Sequence, residues 1–264
     1  IEAKRTRENV EKGRQQAILY ADALEKKFGQ RPVVFYTNGY EIYICDDAQG
    51  YQPRKLYSYY SKESLQYLIR QRSEKKLLAT TPIRTDIAGR DYQIETITRV
   101  CERFSQNYRK ALVVQATGTG KTRVSIGLTK RMIDAGWAKR VLFLCDRKEL
   151  RKQAGKAYTE YLTEPVYIVG KSKKVDVTNA RIYVATYPGM MSIFQQYDVG
   201  YFDLIVADES HRSIYNIYGD IFKYFDALEV GLTATPVEMV SRSTCEMFGC
   251  DYKLPTANYP LEQA

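Results

Sequence analysis

Ala111-Leu112-Val113-Val114-Gln115-Ala116-Thr117-Gly118-Thr119-Gly120-Lys121-Thr122 decides how the rest of this chain is read. A short apolar run leads into a Gly/Thr loop, then Gly-Lys-Thr, then helical periodicity from Arg123. That order is a strand, a phosphate-holding loop and a helix. Gly118 and Gly120 permit the sharp turn that aims consecutive N–H groups at one anion. A helix starting near Lys121 adds the positive end of its dipole. Lys121 is placed to reach the β- and γ-phosphates of a nucleoside triphosphate, and Thr122 to offer its hydroxyl to Mg²⁺. The full pattern G-x-x-x-x-G-K-[ST] wants glycine where this chain has Gln115. A plain Gly/Thr-rich turn ahead of a helix is the alternative.

The 264 residues leave room for one large domain or two ordinary ones, and 44% hydrophobic residues can build a core. Lys and Arg number 40 against 31 Asp and Glu, a formal charge of +9. That excess favours a polyanionic partner such as nucleic acid, and it also fits a basic soluble enzyme. The five cysteines are odd in number and form no C-x-x-C. They point to a reducing compartment with no disulfide framework and no zinc site. No apolar run approaches the length of a membrane span. The chain opens on Ile1-Glu2-Ala3-Lys4-Arg5, with neither a signal peptide nor an initiator Met, and so reads as a piece of something longer.

Residues 1–72 form a first block. Residues 1–4 read as the end of a strand. Residues 8–27 read as a helix with Ile18, Leu19, Ala23 and Leu24 on its apolar side. Strands at 32–36 and 40–45, joined at Thr37-Asn38-Gly39, predict a hairpin. Ser61 starts a helix that buries Leu65, Leu68 and Ile69. Residues 73–90 are mixed and charged and read as a linker. From Asp91 helices alternate with strands. Helices are expected at 92–107, 122–135, 147–161, 187–196 and 213–226. Strands are expected at 111–115, 141–145, 166–169, 182–185, 204–207 and 229–232. The alternation predicts an α/β fold with a mostly parallel sheet covered on both faces. Val141-Leu142-Phe143-Leu144 and Leu204-Ile205-Val206-Ala207 are continuously apolar, as strands buried on both faces should be.

A second chemical signal is Asp203-Leu204-Ile205-Val206-Ala207-Asp208-Glu209-Ser210-His211, where acids end an apolar strand at the sheet's carboxyl edge. Asp208 there would hold Mg²⁺, directly or through water, and Glu209 would polarise an attacking water as general base. His211 is the single histidine of the chain and directly follows Asp-Glu-Ser, which suits a part in relaying nucleotide state. A third signal is Gly231-Leu232-Thr233-Ala234-Thr235-Pro236. The hydroxyls of Thr233 and Thr235 are candidates to bond the Asp208–His211 loop.

Ala116 to Thr122, Asp208-Glu-Ser-His211 and Thr233-Ala-Thr-Pro236 resemble motifs I, II and III of superfamily 2 helicases, in order and at suitable spacing. The resemblance implies a RecA-like domain that uses ATP and Mg²⁺. Thr117, Gly118, Thr119 and Gly120 would then wrap the phosphates beside Lys121 and Thr122. Arg90-Asp91-Tyr92-Gln93 resembles the adenine-recognising Q element, so Gln93 would read the adenine edge and Arg90 or Tyr92 would pack near the base. Asp146 to Leu150 with Gln153 resembles motif Ia, and Val184 to Tyr187 the strand-end DNA contact that follows. Arg147 and Thr186 would touch phosphates, giving binding without sequence preference.

Glu2-Ala3-Lys4 resembles the E-x-K strand of PD-(D/E)xK nucleases, in which the Glu holds a divalent metal and the Lys steers the attacking water. Gln16 and Tyr20, four residues apart on one helix face, resemble the Q-x-x-x-Y element after E-x-K in motor subunits of type I restriction enzymes. That adds Gln16 and Tyr20 to the candidate DNA contacts. The runs 32–39, Arg54-Lys55, 61–68 and His211-Arg212-Ser213 resemble the same family, so the likeness covers essentially the whole chain. It implies the C-terminal part of a nuclease-like domain at 1–72 and a linker at 73–90. A first RecA-like motor domain would fill 91–250, and 251–264 would approach an absent second one. The nuclease Asp that pairs with Glu2 and the arginine finger would lie outside this chain.

The family's activity is ATP-driven translocation and cleavage of double-stranded DNA, with methyltransferase and specificity subunits as partners. Its setting is the cytoplasm of a bacterium or archaeon. The isolated chain is expected to bind ATP weakly and neither to translocate nor to cut. A superfamily 2 repair or remodelling helicase with a non-nucleolytic N-terminal DNA-binding domain is the alternative. A nucleic-acid-binding module with a nucleotide switch is a third reading.

Overall fold

A computed structural model describes residues 1–5, 9–170, 179–209, 212–235 and 237–260; for 212–216 and 238 it describes the backbone alone. The chain divides into two units: 1–74 with 197–201 and 223–226, and the remainder.

In the first unit β1 (Glu2–Ala3) runs parallel to β2 (Val34–Thr37). β3 (Ile42–Cys45) and β4 (Arg54–Leu56) follow antiparallel, in the order β1-β2-β3-β4. β2 and β3 are the predicted hairpin. Asn38 Oδ1 accepts from the Tyr40 and Glu41 N–H groups at 3.1 and 3.0 Å, and Gly39 takes φ 90°. Period-two alternation splits the sheet's two faces. Val34 and Tyr36 join Val10, Ala17 and Ala21 beneath α1 (Glu11–Phe28). Phe35 joins Ile44, Leu56 and the half-buried Leu65 and Leu68 of α2 (Lys62–Glu74).

The expected apolar side of α1 is corrected. Gly13, Ala17 and Ala21 are buried, while Leu19 and Leu24 are 63% and 43% exposed. Small residues let the helix lie close to β2; a Cβ added at Gly13 would meet Tyr36 Cβ at 3.7 Å. Buried charge in this unit is paired. Arg72 bonds Asp46 at 2.6 Å, and Arg54 grips Asp226 through two bonds of 2.5 and 2.6 Å.

The second unit carries α3 (Asp91–Ser105), β5 (Lys110–Gln115), α4 (Lys121–Asp134), β6 (Val141–Cys145) and α5 (Lys148–Tyr161). β7 (Val166–Ile168), β8 (Ile182–Thr186), α6 (Tyr187–Met191), β9 (Leu204–Asp208) and α7 (Arg212–Tyr224) follow. β10 (Leu228–Thr233), α8 (Arg242–Met247) and β11 (Ala257–Tyr259) end the described chain. The sheet order is β11-β5-β10-β9-β6-β8-β7, every pair parallel. β5 shows why these strands are apolar throughout. Ala111 and Val113 pack into the core of Ile97, Phe104 and Val124, while Leu112 and Val114 pack against Cys245 and Phe248 on the other face.

Composition alone reads 73–90 as a linker, and the structure corrects this from Lys75 onward. Leu78, Ile87 and Ala88 are fully buried in the second unit's core. Arg131 of α4 donates to the Thr81 and Leu78 carbonyls at 2.9 and 2.6 Å, and Trp137 Nε1 to the Lys76 carbonyl at 2.9 Å. Residues 257–259 likewise belong to this sheet, as a strand on β5 with Tyr259 opposite Gln115. The helix expected over 187–196 stops at Met191, and α8 has no counterpart among the predicted elements. The five cysteines are free and buried. Among the described residues no helix is long and apolar enough to cross a membrane.

Candidate functional site

Parallel pairing brings the carboxyl ends of β5, β10 and β9 side by side, because β10 lies between the other two. The Gly/Thr loop, Thr233 and the Asp208-Glu209 corner therefore share one sheet edge. Gly118 and Gly120 take φ 81° and 89°, a region open to glycine at little cost. Lys121 opens α4, so the unpaired N–H groups of a 14-residue helix begin at the loop. Lys121 Nζ donates to the Gln115 carbonyl at 3.4 Å and stands 3.9 Å from Glu209 Oε1. Thr122 is half-buried in the first turn of α4, and Thr117 is exposed.

Burial, reinforced by the adjacent Glu209, pushes the Asp208 carboxyl up to about 6 against the pull of Lys121. Asp208 Oδ1 accepts the Glu209 N–H at 3.1 Å, and its carbonyl accepts the Tyr187 hydroxyl at 2.8 Å. Glu209 itself is held at φ 55°, an uncommon conformation for a residue with a side chain. A half-buried carboxyl on the same sheet edge as the loop from which Lys121 and Thr122 open α4 is a donor set that fits Mg²⁺ bound with a triphosphate.

The predicted base-reading residues meet the loop from α3. Gln93, buried, accepts the Arg90 N–H on Oε1 at 3.3 Å and donates from Nε2 to the Thr119 carbonyl at 3.1 Å. Both ends of the amide are thus committed to backbone. Arg90 Nη1 donates to the Tyr92 hydroxyl at 3.0 Å, and that hydroxyl donates to the Thr119 carbonyl at 2.7 Å. A cavity of about 440 Å³ opens beside the loop, lined by Thr85, Gly89, Arg90, Gln93, Gly118 and Arg123 among others. Tyr92 stacks on Tyr259 with ring centroids 3.9 Å apart, and the Tyr259 carbonyl accepts the Ala116 N–H at 3.1 Å. Tyr259 was not legible as part of this site, because nothing near it in sequence marks it, and Gln115 stood out only as a departure from glycine, with no task for its side chain.

Arg147, just before α5, is 76% exposed and lies 3.5 Å from Asp146. Thr186, predicted to touch phosphate, is buried and uses Oγ1 to accept the Gly189 N–H at 3.2 Å, capping α6. Thr233 Oγ1 accepts the Thr235 N–H of its own turn at 3.1 Å. Ser210, His211 and Pro236 lie outside the described residues, and so does the expected link to His211.

In the first unit the two nuclease-like elements meet. Lys4 Nζ lies 3.1 Å from Glu2 and donates to Gln16 Oε1 at 2.6 Å, and Gln16 Nε2 donates to the Tyr20 hydroxyl at 2.8 Å. E-x-K and Q-x-x-x-Y therefore form one continuous chain of polar contacts. Among the described residues no group of three or more His, Cys, Asp or Glu side chains could hold a metal ion, so Glu2 has no companion ligands there.

Residues 86–238, more than half of the chain, match the family described as "Type III restriction enzyme, res subunit". The chain belongs to that family. It is 30% identical to the type I restriction enzyme EcoAI endonuclease subunit of Escherichia coli, over 94% of this chain and 33% of that protein. It is 29% identical to the EcoKI endonuclease subunit of E. coli K12, over 67% of this chain and 17% of that protein. It thus spans a third or less of the relatives it resembles. A solved fragment assigned as the HsdR subunit of a type I restriction enzyme from Vibrio vulnificus superposes with a TM-score of 0.55. That match has 26% identity and covers 98% of this chain and 46% of the other. The helicase domain of Pyrococcus furiosus Hef gives a TM-score of 0.54 at 21% identity, over 69% of this chain and 40% of the other, a likeness of fold. Both units thus fall within the span matched by the Vibrio fragment, and the second unit has the RecA-like helicase fold.

Proposed function

We propose that this chain is part of the endonuclease subunit of a type I restriction enzyme. Its second unit would serve as one wall of an ATP-driven motor on double-stranded DNA, and its first as part of the nuclease. The observation that carries the motor reading is the convergence of Lys121, Thr122, Asp208 and Glu209 with a left-handed Gly118/Gly120 loop on one sheet edge.

In this reading the loop N–H groups and the start of α4 receive the phosphates of ATP. Lys121 exchanges its contacts with Gln115 and Glu209 for phosphate oxygens. Glu209 then accepts a proton from the water whose oxygen attacks the γ-phosphorus, while the bond to the bridging oxygen of ADP breaks. Asp208 and Thr122 would hold Mg²⁺, which would supply positive charge to the phosphate oxygens. Arg147, exposed just beyond β6, would follow DNA phosphates without reading bases, and Thr186 would join it only by giving up the Gly189 N–H that its Oγ1 accepts. His211, Thr233 and Thr235 would couple nucleotide state to that grip. An arginine from a second motor domain, and methyltransferase and specificity subunits, would come from outside this chain.

The polar chain from Glu2 through Lys4 and Gln16 to Tyr20 favours a nuclease over a repair helicase with a non-nucleolytic N-terminal domain. One carboxylate does not by itself make a cation site. The test uses the full-length protein with its methyltransferase and specificity partners. DNA-dependent ATP hydrolysis should vanish in Lys121→Ala, and cutting alone should vanish in Glu2→Ala. Hydrolysis with no cutting by the unsubstituted enzyme would select the repair or remodelling helicase instead.

A further inference from the structure

Position 115, where the phosphate-loop pattern asks for glycine, carries a side chain with a definite task. Gln115 ends β5 and is fully buried. Its Nε2 donates to the Thr119 carbonyl at 3.3 Å. The same oxygen accepts the Tyr92 hydroxyl at 2.7 Å and Gln93 Nε2 at 3.1 Å. Donors from β5 and α3 therefore converge on one carbonyl in the middle of the loop, more than its two lone pairs require. The peptide they hold joins Thr119 to Gly120, immediately before the Lys121 that opens α4. Gly120 sits at φ 89°, and a Cβ there would stand 2.6 Å from Gln93 Nε2, so the clamp closes against bare backbone.

The other end of the Gln115 amide is telling. Oε1 is buried without a partner, which costs the desolvation of an acceptor. A hydrocarbon side chain of similar volume would avoid that cost but could not donate to Thr119. Tyr92 extends the clamp outward. Its hydroxyl also accepts from Arg90 Nη1 at 3.0 Å, and Arg90 lines the 440 Å³ cavity.

We propose that Gln115 is a positioning residue: with Tyr92, it fixes the Thr119–Gly120 peptide in the orientation that receives a nucleotide's phosphates before the nucleotide arrives. The inference rests on the nucleotide-site reading above. A pre-ordered loop spares the ligand the cost of ordering it, so the effect falls on KM for ATP more than on kcat.

The test measures steady-state Mg-ATP hydrolysis by the full-length protein on DNA, alongside ligand-free thermal unfolding. Gln115→Leu removes the amide at similar volume, and Tyr92→Phe removes the hydroxyl while leaving the ring on Tyr259. Each should raise KM about fivefold to tenfold and move kcat by less than about threefold. Because both groups hold one oxygen, the double variant should raise KM by less than the product of the single effects. A wild-type KM in Gln115→Leu overturns the inference alone. So does a fall in kcat at fixed KM, the mark of lost folded protein. If the unsubstituted protein neither binds nor hydrolyses ATP, the nucleotide reading falls and the inference with it.

Discussion

Lys121 and Glu209 face each other across the sheet edge, with Nζ 3.9 Å from Oε1. The proposed phosphate-binding cation thus stands beside the proposed general base. Phosphates would draw the lysine away and free the carboxylate for water. Glu209→Gln in the full-length protein should keep ATP binding but lose about a hundredfold or more in hydrolysis. Binding of a fluorescent ATP analogue and phosphate release separate the two. Hydrolysis at the wild-type rate would remove Glu209 from the role.

Two loop glycines should respond differently to alanine. Both have positive φ, a strain of about 1–2 kcal/mol for a residue with a Cβ. At Gly118 nothing lies within 4 Å of the added carbon, whereas at Gly120 it meets Gln93 Nε2 at 2.6 Å. Gly120→Ala should therefore lower the unfolding temperature and ATP affinity more than Gly118→Ala. Equal losses in a side-by-side melt and titration would mean that Gln93 yields freely.

Lys130 of α4 bonds Asp134 at 2.8 Å and Glu164 at 2.9 Å. Burial pushes the Glu164 carboxyl up, the Lys130 ammonium pulls it down further, and the result lies below its usual range. A carboxyl lowered on folding stabilises above its unfolded pKa, and that contribution fades as pH falls through the lower folded value. Lys130→Met should cost about 2–3 kcal/mol at pH 7, and the gap to wild type should close below about pH 4. Urea unfolding at both pH values checks it; a gap that does not change with pH would assign the loss to packing.

Gln16 links Lys4 to Tyr20 in the first unit. Gln16→Leu should reduce DNA cutting by about tenfold or more, as expected if a positioning contact at the proposed nuclease centre is lost, and leave ATP hydrolysis intact. Tyr20→Phe, one bond further along the chain, should have the milder effect. Plasmid cleavage and phosphate release on the same preparations give both readings, and parallel loss of the two activities would point to damaged folding.

The phosphate loop and the acidic corner were legible because their chemistry is compressed into contiguous residues flanked by apolar strands. Glu2, Lys4, Gln16 and Tyr20 were legible as two separate elements, and the structure joined them through a 2.6 Å bond. β4 and β11, three residues each, were not. Unlike Val166-Tyr167-Ile168, as short but apolar throughout, Arg54-Lys55-Leu56 and Ala257-Asn258-Tyr259 show too little apolar pattern to mark a strand, and their neighbours hold them in place. Leu78 and Ile87 were hidden for a related reason: Leu77-Leu78-Ala79 and Ile87-Ala88 are apolar patches too short for a period, set among charged and polar residues, and only the Arg131 bonds and the core contacts reveal the segment as packed. Gln115 read as a missing glycine because a pattern records identity, not where an amide points.

β11 also bears on how this protein can be handled. The Thr256 N–H donates to the Leu112 carbonyl and its Oγ1 accepts the Leu112 N–H, the Tyr259 carbonyl accepts the Ala116 N–H, and together they cover the outer side of β5. A recombinant version trimmed before Thr256 would bare a strand of Ala111, Leu112, Val113 and Val114, an invitation to intermolecular pairing and precipitation. Such a truncation would let poor solubility pass for a nucleotide-binding defect, so residues 256–260 belong in any shortened version used for biochemistry.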